Sequence, residues 1–135
     1  MSTQIFVNLP VKDLQKSIHF FTELGYEFNA QFTDENATCM VISENIFVML
    51  LVEARFKDFT TKQIADTSTH IEAILALSAE SREQVDDLAD KALAAGAQPA
   101  NEPMDTDGFM YSRSFLDLDG HMWEVLWMDP SAIEQ

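Results

Sequence analysis

Basic side chains are scarce in this chain. Eight lysines and arginines stand against 23 aspartates and glutamates, for a net charge of −15. Such a field repels phosphate backbones and anionic membrane surfaces, so no nucleic-acid or membrane partner is expected, and it favours solubility. Cysteine is nearly absent as well. A single residue, Cys39, excludes an intramolecular disulfide and agrees with a reducing compartment. Its apolar setting, Cys39-Met40-Val41-Ile42, marks a buried, inert thiol rather than a nucleophile. No apolar run reaches the roughly eighteen residues of a membrane helix. No basic-then-apolar leader opens the sequence, so the expectation is a soluble, cytoplasmic protein. Four glycines are too few for a glycine-rich phosphate loop, and no Ser–His–Asp or Cys–His order is discernible. Seven methionines scatter through the chain, which suits core filling more than a cofactor box, although methionine also lines adaptable binding surfaces.

What is present is ordinary globular material. With 135 residues, 47% apolar and 23% charged, the chain is long enough to bury a core. Gln4 to Leu9 alternates as a strand, with Ile5, Val7 and Leu9 on one face and Phe6 and Asn8 on the other, and Pro10 is expected to end it. Asp13 is placed to cap a helix whose apolar positions Leu14, Ile18, Phe21 and Leu24 share a face and which Gly25 stops. Strands are predicted at 26–32, 38–43 and 46–53, then a polar connector over 54–69 whose Phe56 and Phe59 pack partly onto the body. The order then repeats. A strand at 71–77 precedes a helix opened by Ser81 with Gln84, striped by Val85, Leu88, Ala89, Ala92 and Leu93, and stopped by Gly96. A loop over 99–108, with a short strand near 98–100, leads to a closing hairpin. This matched order points to an internal repeat of α+β modules.

The hairpin carries the most informative residues. Asp119-Gly120 is a strong turn signal between runs rich in aromatic and β-branched side chains. On the second strand His121, Trp123, Val125 and Trp127 face one way, and Met122, Glu124, Leu126 and Met128 the other. One carboxylate among large apolar groups needs a partner, a proton or a ligand.

The stretch Asn8-Leu9-Pro10-Val11-Lys12-Asp13-Leu14, followed by Ser17, Phe20-Phe21 and Leu24-Gly25, resembles the first module of the vicinal oxygen chelate superfamily. So does the terminal Asp117-Leu118-Asp119-Gly120-His121-Met122-Trp123-Glu124-Val125. That superfamily includes glyoxalases, extradiol dioxygenases and the fosfomycin and bleomycin resistance proteins. The resemblance implies one domain over 1–135, with module one at about 1–55, a connector at 56–69 and module two at about 70–130. Each module would be βαβββ, the two curling into a half-barrel around a cavity, and the chain would form a homodimer. In the family's enzymes four strands each supply one ligand to a divalent metal. Carried over by position, those places hold Phe6, Leu50 (register open by one or two residues), Ile74 and Glu124. Phe, Leu and Ile cannot coordinate a cation, and a catalytic site keeps about three protein ligands, so no cofactor is expected.

Glu124 therefore has three readings: a structural or ligand-orienting group, an acid–base catalyst in an apolar cavity, or one ligand of a displaced metal site completed by His70 or Glu72. His121 points away from Glu124, and His19 lies on the polar side of the first helix. Tyr111 and Arg113 share a face of the preceding strand, where Arg113 either clamps an anionic group or forms a salt bridge. Phe109-Met110-Tyr111 would line a cavity mouth or a dimer contact. The preferred function is metal-independent binding of a small, largely hydrophobic molecule by Phe6, Asn8, Leu50, Ile74, Tyr111, Arg113 and Glu124. The alternatives are a metal-dependent lyase or dioxygenase with rearranged ligands, and a non-catalytic structural or interaction dimer.

Overall fold

In the computed structural model, which describes residues 2–133, the backbone separates into two compact units, Met1–Ala65 and Asp66–Gln135. The first unit runs β1 (Ile5–Val11), α1 (Leu14–Glu23), β2 (Glu27–Asn29), β3 (Ala37–Ser43), β4 (Ile46–Val52) and the short helix α2 (Glu53–Phe56). Its sheet has the order β1-β4-β3-β2, with β1 parallel to β4 and the other neighbours antiparallel. The second unit contains β5 (Ile74–Ser78), α3 (Arg82–Ala94), β6 (Gln98–Pro99), β7 (Met104–Thr106), β8 (Met110–Leu116), β9 (Met122–Met128) and the short helix α4 (Pro130–Ile133). Its sheet runs β5-β9-β8-β6, with β7 also paired to β8, and β5 lies parallel to β9. In both units a helix follows the first strand, and the last strand returns parallel to the first. This is the α+β, two-module architecture that the element order implies.

Local chemistry explains the helix bounds. The Asp13 carboxylate accepts from the Lys16 N–H at 3.1 Å, and Gly25 leaves α1 at φ +103°. The Ser81 hydroxyl accepts from the Gln84 N–H at 3.1 Å, while the Gln84 side chain reaches back to the N–H of Glu80 at 2.9 Å, one residue earlier than a standard capping box. Leu14, Phe20 and Phe21 of α1 are buried, with the two rings edge to face at 4.9 Å, and α1 lies against β4. Burying each such ring stabilises by about 1.5–3 kcal/mol. In the second unit Val85, Ala89 and Ala92 of α3 are buried, and α3 contacts β8 and β9, where Phe115, Trp123 and Val125 are buried too.

Several predicted bounds shift. β1 continues through Pro10 to Val11, because β1 is an edge strand of its sheet and a missing N–H costs nothing on the unpaired side. The strand predicted over 26–32 stops at Asn29, whose side chain accepts from the Gln31 N–H at 2.9 Å and draws Ala30–Phe32 into a 3₁₀ turn. β5 starts only at Ile74, since its partner β9 begins at the paired Met122 and leaves 71–73 without a ladder. β7, inside the predicted loop, forms because β8 extends far enough to pair with it.

Candidate functional site

Each sheet has one face covered by its helix; on the other, more open face the exposed Phe6 and Ile74 sit among buried side chains, Cys39 and Leu51 in the first unit and Ser112 and Met122 in the second. In the first unit, pairing puts Phe6 beside Phe47, Asn8 beside Met49 and Pro10 beside Leu51. Phe6 is 48% exposed and its ring stacks on Phe47 at 4.8 Å. Leu50 pairs with Leu9 on the opposite, helix-covered face and is completely buried. Leu50 is thus a core residue, and Phe47, Met49 and Leu51 are the β4 side chains that share a face with Phe6 and Asn8. The one-residue offset arises because strand alternation reverses the face of every neighbour.

The second unit holds Glu124. Across the sheet it sits between Ala76 on β5 and Ser114 on β8, with Met122 and Leu126 two positions away along its own strand. Ile74, paired with Met122, shares this face and is 56% exposed. Glu124 is half-buried, and its carboxylate carries no hydrogen bond or ion pair among the described residues.

Tyr111 and Arg113 pair with Trp127 and Val125 and so lie on the helix-covered face, opposite Glu124. They do not line its surroundings. The Tyr111 hydroxyl donates to Asp86 at 2.6 Å, and Arg113 donates to Asp86 at 3.1 Å and Asp90 at 2.8 Å, which binds β8 to α3. The bond from Tyr111, more than the adjacent guanidinium, holds the Asp86 carboxyl below its usual range. Arg82 completes the cluster, paired with Asp105 and stacked over the Tyr111 ring at 4.7 Å. Arg113 also borders an open cleft of about 390 Å³ beside Asn101, Glu102 and Ser114, but its charge is already met by two aspartates.

The hairpin turn gathers residues that sequence reasoning left apart. His121 is 3% exposed, with Nδ1 3.0 Å from the Glu72 carboxylate. The Asp117 carboxylate accepts from the Asp119 and His121 N–H groups at 2.9 and 3.0 Å and from the Trp123 indole N–H at 2.9 Å. Burial pushes its pKa up, against the lowering effects of His121 and these donors. Thr67 donates to the Asp119 carbonyl at 2.5 Å. The only sequence signal for this cluster was the Asp-x-Asp-Gly-His turn itself; Glu72 lies 49 residues from His121, beyond any local pattern.

Phe6 and Ile74 have no lone pair, and Met49 offers only a thioether, a poor ligand for hard divalent cations. Neither His70 nor Glu72 lies on β5: His70 Nδ1 is 2.7 Å from the Thr69 hydroxyl, and Glu72 is engaged by His121. Among the described residues no three His, Cys, Asp or Glu side chains are grouped to hold a metal ion. The residues present do not fit the metal that the superfamily's enzymes carry. His19 remains at the surface, 3.5 Å from Glu23.

Comparison with known proteins is consistent with this architecture. Residues 3–43 match the family described as bleomycin resistance protein-like N-terminal. No curated protein matches the chain. The hypothetical protein SA1046 from S. aureus is 30% identical, with 94% of this chain and 95% of that chain covered at a TM-score of 0.78. A glyoxalase-related enzyme from Fulvimarina pelagi is 18% identical, covering 94% of this chain and 88% of its own at 0.79. A glyoxalase/bleomycin resistance protein/dioxygenase family enzyme from Burkholderia phytofirmans PsJN is 16% identical, covering 94% and 99% at 0.77. Those two likenesses establish the fold, and the 30% identity over nearly the whole chain establishes common descent. The chain belongs to the vicinal oxygen chelate superfamily, among its glyoxalase/bleomycin resistance protein-like members.

Proposed function

We propose that the chain binds a small, largely hydrophobic molecule, without the superfamily's usual metal, on the open face of its second sheet. One observation carries this reading. A half-buried carboxylate, Glu124, stands with no partner among the described residues on an otherwise uncharged face with Ile74, Met122 and Leu126 around it. A core residue would be covered, whereas Ile74 is not. A metal ligand would have companions with lone pairs nearby. Apolar contact supplies affinity on such a face, and the single polar group orients the guest. The stacked Phe6 and Phe47 give the first unit a comparable open apolar face, which supports the expectation that the protein works as a homodimer.

The test is a thermal titration of metal-stripped protein, first with manganese, nickel, zinc, cobalt and ferrous iron, then with hydrophobic small molecules. A site filled to about 100 times its dissociation constant stabilises by about 2.7 kcal/mol, which is several degrees for a chain of this size. Stabilisation by organic compounds and not by metals is the expected result. A saturable metal shift lost in Glu124→Ala would replace this reading with the metal-dependent lyase or dioxygenase.

A further inference from the structure

We infer that the guest at Glu124 is a small hydrophobic cation, an amine or quaternary ammonium group on an apolar body. This inference rests on the binding reading above and names the ligand class for the same face.

Three observations converge. First, the pairing of β5, β8 and β9 makes Glu124 the one ionisable side chain that these three strands place on the open face among the described residues; its cross-strand neighbours are Ala76 and Ser114, and its strand neighbours Met122 and Leu126. Ala76 and Ser114 are small, so the sheet dips at the carboxylate while Met122 and Leu126 wall it. Second, among the described residues each lysine and arginine of the second unit is already paired. Arg113 is paired with Asp86 and Asp90, Arg82 with Asp105, and Lys91 with Asp87 at 3.0 Å. Third, the whole chain carries a charge of −15.

These facts rank the possible guests. A neutral guest covering the dip removes water from a carboxylate and offers no counter-charge in return, which is costly. An anion meets repulsion from Glu124 and from the field of the whole chain. A cation gains from both, and its approach is steered by the net charge. The apolar body of the guest is required by the exposed Ile74 and Met128 on the same face, and thioether side chains there adapt to varied shapes.

The experiment uses three probes of matched length: 4-phenylbutylammonium, 4-phenylbutanol and 4-phenylbutyrate. Their affinities for the full chain are measured by calorimetry, and their location by amide chemical shifts. The expected order is cation, then alcohol, then carboxylate. The cation should bind roughly three- to tenfold more tightly than the alcohol, the range for a half-buried ion pair. In Glu124→Gln, a near-isosteric change, that preference should vanish while alcohol binding persists. About 1 M salt, where the Debye length is about 3 Å, should also narrow it. Equal binding of cation and alcohol, or a preference unchanged in Glu124→Gln, overturns the cation assignment and leaves the binding reading standing. In Ala76→Leu, which fills the dip, all three probes should weaken together. No binding by any probe, or shifts away from β5 and β9, overturns both.

Discussion

Replacing Asp117 by alanine tests the reasoning about the hairpin turn most directly. The Asp117 side chain is 6% exposed and accepts three N–H bonds, from Asp119, His121 and the Trp123 indole. Asp117→Ala leaves all three donors without their acceptor in a setting that water reaches poorly. Hydrogen bonds to a charged group contribute about 1.5–3 kcal/mol each. The desolvation that raises the Asp117 pKa offsets part of that sum, so a net loss of about 3–5 kcal/mol is expected. For a chain of this length that is about 10–15 °C in Tm, read by calorimetry and by fluorescence of the buried Trp123. The pH dependence carries a sign. Because the folded pKa is raised, the folded state holds this proton more tightly than the unfolded chain does. The group's contribution is full below the unfolded pKa, near the ordinary 3.8 of an aspartate, and is lost as pH rises through the higher folded value. The gap between wild type and Asp117→Ala should therefore be widest in acid and narrow as the pH rises. Asp117→Asn keeps one acceptor oxygen for the two backbone donors, so it should lose less and remove this pH slope. A drop in Tm below about 3 °C, or a gap that widens with pH, would refute the account of Asp117.

Other outcomes follow from the same structure. Gly120→Ala should destabilise by about 2–3 kcal/mol, since φ is +81° and the new Cβ would lie 2.5 Å from Thr67 Oγ1; denaturant unfolding of Gly120→Ala in wild-type and Thr67→Ala backgrounds should show partial relief in the latter. Arg113→Met should cost only about 1 kcal/mol, because Asp86 and Asp90 are half or more exposed. That loss should shrink in high salt, and binding of 4-phenylbutanol should be unaffected, since Arg113 faces away from Glu124. Phe20→Ala should cost about 3–5 kcal/mol, because the ring is 1% exposed in the core of the first unit; hydrogen exchange should locate the loosening in β4 and α1.

Sequence alone determined what depends on neighbours along the chain. The caps at Asp13 and Ser81, the stops at Gly25 and Gly96, the two-module order and the closing hairpin are all local chemistry, and each is found where the residues put it. Alternation correctly grouped Phe6 with Asn8, Tyr111 with Arg113, and Met122 with Glu124. What it could not supply was the phase of one strand against the next. Leu50 and Phe6 fall on opposite faces, as do Arg113 and Glu124, because cross-strand register is set by turn geometry and pairing, and a one-residue offset inverts a side chain's face. The Glu72–His121 pair lay further still from view. Only the tertiary fold brings together two residues so distant in the chain, and only it shows that Glu72 has a partner while the Glu124 carboxylate has none among the described residues.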